Sequence, residues 1–178
     1  MEDRFELRLS GSGGQGLILA GIILAEAAII EGKNAVQSQS YGPEARGGAS
    51  RAEVIISQEE IDYPKVTKPD VLLVLSEEAL KKFKDNLSEK GIIIKDSSLS
   101  KIDSPYKVYE LPIIETAQNK IGRTMVANIV ALGVITELTG IVSKEAIESA
   151  ILARVPKGTE ELNKKALYAG FELAAGVK

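Results

Sequence analysis

The residues of this 178-residue chain best suited to binding chemistry cluster in two glycine-rich segments, and nine of its 16 glycines lie within the first 48 positions. The first segment is Gly11-Ser12-Gly13-Gly14-Gln15-Gly16, in which Gly11, Gly13 and Gly16 keep a G-x-G-x-x-G spacing. Glycines so spaced let a backbone turn sharply from a strand into a helix, whose free N–H groups and positive end suit an anion. The segment, with Gly14 and Gln15 included, therefore reads either as a phosphate or anion contact or as a tight structural turn. A free-standing nicotinamide site needs an acid for the ribose at the end of the second strand. Val36-Gln37-Ser38-Gln39-Ser40 has none, and no Gly-Lys-Ser/Thr follows the glycines to make a nucleoside-triphosphate loop.

The second segment is Gln39–Gly48, which holds Tyr41, Gly42, Pro43, Glu44, Arg46, Gly47 and Gly48. Gly47-Gly48 permits positive φ and exposes backbone amides. Arg46 and Arg51 suit a carboxylate or phosphate, because a guanidinium offers paired donors. A plain hairpin turn needs neither this length nor this chemistry, so the loop is expected to be functional. Asn128, in Gly122-Arg123-Thr124-Met125-Val126-Ala127-Asn128, falls inside an apolar helical run where Asn is unfavourable. It is expected to be a buried hydrogen-bonding strut, the alternative being a contact at a subunit interface. Asn163 and Ala166, early in the last helix, read as part of a solvated face.

Composition narrows the chemistry further. The chain has no Cys, no His and no Trp. Disulfides, thiolate ligation of iron–sulfur clusters, thiol nucleophiles, Ser-His-Asp triads and imidazole bases are therefore excluded. Acid–base work would fall to Asp, Glu, Lys or Tyr, and no metal site is expected. A net charge of −3 and only 3 Phe and 5 Tyr argue against nucleic-acid binding. No apolar run reaches the ~20 residues of a membrane helix, and the mixed-sign start Met1-Glu2-Asp3-Arg4 is a poor secretory signal. The expected location is cytoplasmic.

The elements that must position these residues follow from periodicity. Phe5–Leu9 alternates as a strand, and Leu17–Ile30 is a helix apolar all round, which implies burial. Short strands follow around Ala35-Val36-Gln37 and over Ala49–Ser57. Asp70–Leu75 is a continuous apolar strand suited to a sheet centre buried on both faces. Ser76 caps a helix to about Asn86, with Glu77/Lys81 and Glu78/Lys82 as i,i+4 pairs. Ile92–Ile94 and Tyr106–Leu111 are strands. The last third is helical: Glu115–Ile121, Thr124–Leu138 closed by Gly140, Ser143 to about Arg154, and Glu160–Ala175. The order implies one α/β domain over 1–178, a mixed sheet covered by helices with a Rossmann-like first βα unit and a helical C-terminal third.

Four stretches together carry a family resemblance: Gly11–Gly16, Gln39–Gly48 with its Ser-Tyr-Gly-Pro-Glu-Ala-Arg-Gly-Gly string, Asp70–Ser76, and Gly122–Gly133 with Asn128. They closely resemble the gamma subunit of 2-oxoacid:ferredoxin oxidoreductases, over essentially the whole chain. The 2-oxoglutarate branch is the nearer one, because the pyruvate branch carries Gly-Ala-Pro after its arginine. The alternatives are the corresponding subunit of an indolepyruvate- or pyruvate-type enzyme, or an independent dinucleotide-binding module.

The resemblance implies a complex that oxidatively decarboxylates a 2-oxoacid, passes electrons to ferredoxin and transfers the acyl group to coenzyme A. Thiamine diphosphate, Mg2+ and the iron–sulfur clusters then belong to thiamine-binding alpha and beta subunits and a ferredoxin-like subunit. This chain is expected to bind no cofactor alone and to have no catalytic residue. Its expected contribution is an interface or coenzyme A approach built from Tyr41, Gly42, Pro43, Glu44, Arg46, Gly47, Gly48 and Arg51.

Overall fold

The computed structural model describes residues 4–40 and 48–178. Their strands are β1 (Arg4–Gly11), β2 (Asn34–Gln39), β3 (Ser50–Ser57), β4 (Val71–Val74), β5 (Ile92–Asp96) and β6 (Lys107–Leu111). They form one sheet in the order β2-β3-β1-β4-β5-β6. β1, β4, β5 and β6 pair in parallel, whereas β3 runs antiparallel to both β1 and β2. The sheet is mixed, as the sequence implies.

The helices are α1 (Leu17–Ile30), α2 (Glu77–Phe83), α3 (Ile113–Glu115), α4 (Ala127–Thr139), α5 (Lys144–Arg154) and α6 (Glu160–Ala175). α3 runs into a π-helical turn over Thr116–Ile121, and a 3-10 turn over Thr124–Val126 leads into α4. Three sequence-based boundaries shift. The capped helix at Ser76 stops at Phe83, the segment over Glu115–Ile121 widens to π geometry, and the regular helix around Asn128 starts at Ala127. The Ser76 and Ser143 hydroxyls accept from the N–H groups of Ala79 and Ala146, at 3.3 and 3.0 Å, as N-caps should. Glu77 accepts from the Ser100 N–H. That bond and the Ser100 hydroxyl, with nearby Lys81, hold its carboxyl below the ordinary value.

One sheet face carries α1, α4, α5 and α6 over Leu7, Leu9, Val54, Val71 and Leu73. The other carries α2, with Ala79, Leu80 and Phe83 over Leu72, Val74 and Ile93. β4 alternates between the two cores, which explains its unbroken apolar run.

Within the helical layer α4 and α6 cross in very close contact. A Cβ at Gly133 would stand 2.3 Å from the Leu167 carbonyl oxygen, and one at Gly170 would stand 2.1 Å from that of Val130. Asn163 and Ala166 lie on the same buried stripe of α6 as Leu167, Gly170 and Phe171. They are not a solvated face, because this stripe is the one turned toward α4. α1 also departs from expectation: Ile18, Leu19, Ile29 and Ile30 are exposed although the helix is apolar all round.

Candidate functional site

Strand register brings the two glycine segments to one end of the sheet. β1 ends at Gly11, and its last residues Ser10 and Gly11 stand opposite Arg51 and Ser50 at the start of β3. β2 ends beside the same start, with Gln39 opposite Ala52. The chain between Gln39 and Ser50 therefore leaves and returns next to the turn Gly11–Gly16. Tyr41, Gly42, Pro43, Glu44, Arg46 and Gly47 lie outside the described residues. Gly48 is half-buried, and Ala49 is buried in the cluster under α2 with Phe83 and Leu80.

The first glycine loop is closed from within. The Ser12 N–H donates to Gln15 Oε1 at 2.7 Å, and Gln15 Nε2 donates to the Leu75 carbonyl at 3.0 Å. This carboxamide lies against Gly11, where a Cβ would come within 2.1 Å of Oε1. Gln15 thus ties the loop to the end of β4, and the Leu75 N–H returns a bond to the Ser10 carbonyl at 3.0 Å.

Gly16 stands at the start of α1 with φ 72°, and no side chain caps that helix. The Asn128 Nδ2 donates to the Gly16 carbonyl at 3.1 Å, and a Cβ on Gly16 would stand 2.5 Å from that nitrogen. Left-handed backbone and close approach together require glycine here. Asn128 is buried and its Oδ1 accepts from the Ile129 N–H at 2.9 Å, so it is the strut expected from sequence. Gly13 and Gly14 are exposed at the loop tip.

The polar face of β1 and β3 beneath α2 carries a charge network that sequence reasoning missed. Arg8 is buried and donates through Nε and Nη2 to Glu53 Oε2, both at 2.9 Å. Arg51 Nε reaches the other oxygen of Glu53 at 3.6 Å. Both guanidinium groups lie over the Phe83 ring, 5.1 and 5.8 Å from its centre. The carboxylate partner of Arg51 is therefore Glu53, two residues on. The side-chain alternation of β3 carried that signal, but the register that adds Arg8 did not exist in the sequence.

Two tests bear on ligand type. In a dinucleotide fold the strand after the first helix lies beside the first strand. Here β3 is inserted between β1 and β2, which moves the end of β2 one strand spacing, about 4.8 Å, further from the glycine turn. For a metal, no group of three or more His, Cys, Asp or Glu among the described residues could hold an ion. With no Cys or His in the chain, the donors do not fit an iron–sulfur site. No helix among the described residues is long and apolar enough to cross a membrane. An open concavity of about 930 Å³ lies elsewhere, at the opposite ends of the strands, lined by Arg4, Lys33, Asp70 and Lys90. The Asp70 carboxylate there is already occupied by the Glu6 N–H and the Ser88 hydroxyl.

Residues 6–173 match the family described as pyruvate ferredoxin/flavodoxin oxidoreductase. The chain belongs to that family. Among its relatives, the 2-oxoglutarate synthase subunit KorC of Methanocaldococcus jannaschii is 54% identical over 176 residues, covering 96% of this chain and 94% of that one. The solved gamma subunit of a keto/oxoacid ferredoxin oxidoreductase from Geobacter sulfurreducens superposes with a TM-score of 0.91 at 53% identity, covering 98% of each chain. The solved pyruvate oxidoreductase subunit PORC of Thermotoga maritima gives 0.80 at 32% identity, covering 97% of each. These two solved subunits thus share this fold over almost their full length.

Proposed function

We propose that this chain is the gamma-type subunit, without catalytic residues of its own, of a 2-oxoglutarate:ferredoxin oxidoreductase. One observation carries the branch: identity is 54% to a 2-oxoglutarate synthase subunit and 32% to a pyruvate oxidoreductase subunit, each over nearly the whole chain. The complex would cleave carbon dioxide from the 2-oxoacid, send the released electron pair through iron–sulfur clusters to ferredoxin, and join the acyl group to the thiol of coenzyme A. Thiamine diphosphate and Mg2+ supply the carbanion chemistry when bound by the alpha and beta partners. A ferredoxin-like subunit would hold the clusters. The assembly would work in the cytoplasm.

The contribution of this chain is a shaped edge. Gln15 and Asn128 fix the turn Gly11–Gly16, and Ala49 and Arg51 anchor the return of the second loop beside it. Both loops would be offered to the thiamine-binding subunits and to the approach of coenzyme A. Within the second loop, Arg46 would clamp a partner carboxylate or a coenzyme phosphate through paired hydrogen bonds.

Co-expression with the alpha, beta and ferredoxin-like subunits tests this reading, with a tag on the present chain. The three partners should co-purify in fixed ratio. Arg46→Ala should weaken assembly or the acyl-transfer half-reaction at least ~10-fold, about 1.4 kcal/mol, with an unchanged melting temperature. Failure of the wild-type chain to capture the partners would contradict the reading, and an Arg46→Ala complex that assembles and turns over normally would remove Arg46 from the site.

A further inference from the structure

The outward face of α1 is apolar where a surface helix should be polar. At about 100° per residue, Ile18, Leu19, Ile22, Glu26, Ile29 and Ile30 fall on one arc of the helix. Ile29 and Ile30 are 58% and 57% exposed, and Ile18 and Leu19 are 37% and 36% exposed. The opposite arc, with Ala20, Gly21, Ile23, Leu24 and Ala27, is buried. Single exposed apolar side chains need no explanation, but a contiguous stripe along a whole helix marks an interaction surface. Leu152 on α5, 37% exposed, lies on the helix packed beside it. The lone charge in the stripe, Glu26, is held by Arg154 of α5, whose Nε donates to it at 2.8 Å.

We propose that this stripe pairs two copies of the chain, α1 against α1, antiparallel about a two-fold axis level with Leu24. An isologous contact needs a patch that complements itself when turned by half a revolution. The stripe has that form. Positions 18 and 30, 19 and 29, and 22 and 26 are equally distant from 24, so Ile18-Leu19 of one copy would lie over Ile29-Ile30 of the other at both ends. At the centre each Glu26 would arrive already neutralised by its own Arg154, so no like charges meet. A different partner would require no such internal symmetry. At a rise of 1.5 Å per residue the stripe is about 18 Å long. That length suits the apolar centre of an interface of ~800 Å² per partner, with a polar rim around it.

Sedimentation equilibrium on the full chain tests this directly. At tens of micromolar it should give a dimer of twice the 19.0 kDa chain mass. The double variant Ile29→Asp/Ile30→Asp should raise the dissociation constant at least ~100-fold, about 2.7 kcal/mol, without lowering the melting temperature. The chain has no cysteine, so an introduced one is its sole thiol. In the antiparallel pair, two copies of residue 22 are offset by about 6 Å along the helix and two copies of residue 18 by about 18 Å. A short bis-thiol cross-linker should therefore join Ile22→Cys chains and leave Ile18→Cys chains single. A monomer at all concentrations, a dimer indifferent to the Asp pair, or the reverse cross-linking pattern would overturn the proposal. A monomer whose Asp variant instead loses capture by the thiamine-binding subunits would overturn it too, and assign the stripe to them.

Discussion

Asn128 and Gln15 brace the first glycine loop from within, Asn128 by donating to the Gly16 carbonyl and Gln15 by accepting from the Ser12 N–H. Asn128 was legible in the sequence, because an amide inside an apolar helix must find a partner or incur a desolvation cost. The role of Gln15 was not, because its partner, the Leu75 carbonyl, lies 60 residues away and becomes a neighbour only when β4 pairs with β1. The same holds for Arg8 and Arg51, whose shared carboxylate and shared ring depend on the register of β3 and on α2 above it. Asn128→Ala removes the bond to the Gly16 carbonyl and leaves the Ile129 N–H without its side-chain acceptor. It should cost about 1–3 kcal/mol in urea unfolding. Asn128→Asp should cost more, since a carboxylate oxygen would face the Gly16 carbonyl. Equal stability of all three proteins would mean that the strut is not holding the loop.

Among the elements, the least expected feature is the position of β3. Sequence periodicity located every strand within a few residues, but order within a sheet is a tertiary outcome that local pattern does not encode. The glycine turn and the helix after it are Rossmann-like, as expected, whereas the neighbouring strand is not. Titration with NAD or NADP by calorimetry should therefore give dissociation constants no tighter than ~1 mM, near −4 kcal/mol. Low-micromolar binding would restore the dinucleotide reading. The α4–α6 crossing makes a second claim of this kind. Gly133 and Gly170 bring two helix backbones into contact, and a methyl group at either position would meet backbone rather than a movable side chain. Gly170→Ala should destabilise, because an overpacking cost at or above the upper end of about 1–3 kcal/mol outweighs a helix-propensity gain of roughly 1 kcal/mol. A variant as stable as wild type would mean the helices can separate freely. The misreading of Asn163 has the same origin: its neighbours Lys164 and Lys165 suggested solvent, while the stripe facing α4 was set by packing.

For the molecule as a whole, composition was the most informative feature of the sequence. A chain without Cys and His cannot ligate clusters through sulfur or run imidazole chemistry, and its relatives are named as subunits of 2-oxoacid oxidoreductases. The substrate branch was legible only through the loop wording around Arg46, and it agrees with the relatives' identities. The measurement that bears most directly on the central claim is reconstitution with one component left out. Alpha, beta and ferredoxin-like subunits are combined with and without this chain, and viologen reduction is followed with 2-oxoglutarate, coenzyme A, thiamine diphosphate and magnesium. The complete mixture should turn over with 2-oxoglutarate in preference to pyruvate, while this chain alone should give no rate above background. Turnover by the isolated chain, or full coenzyme A-dependent activity in the mixture that lacks it, would contradict the account.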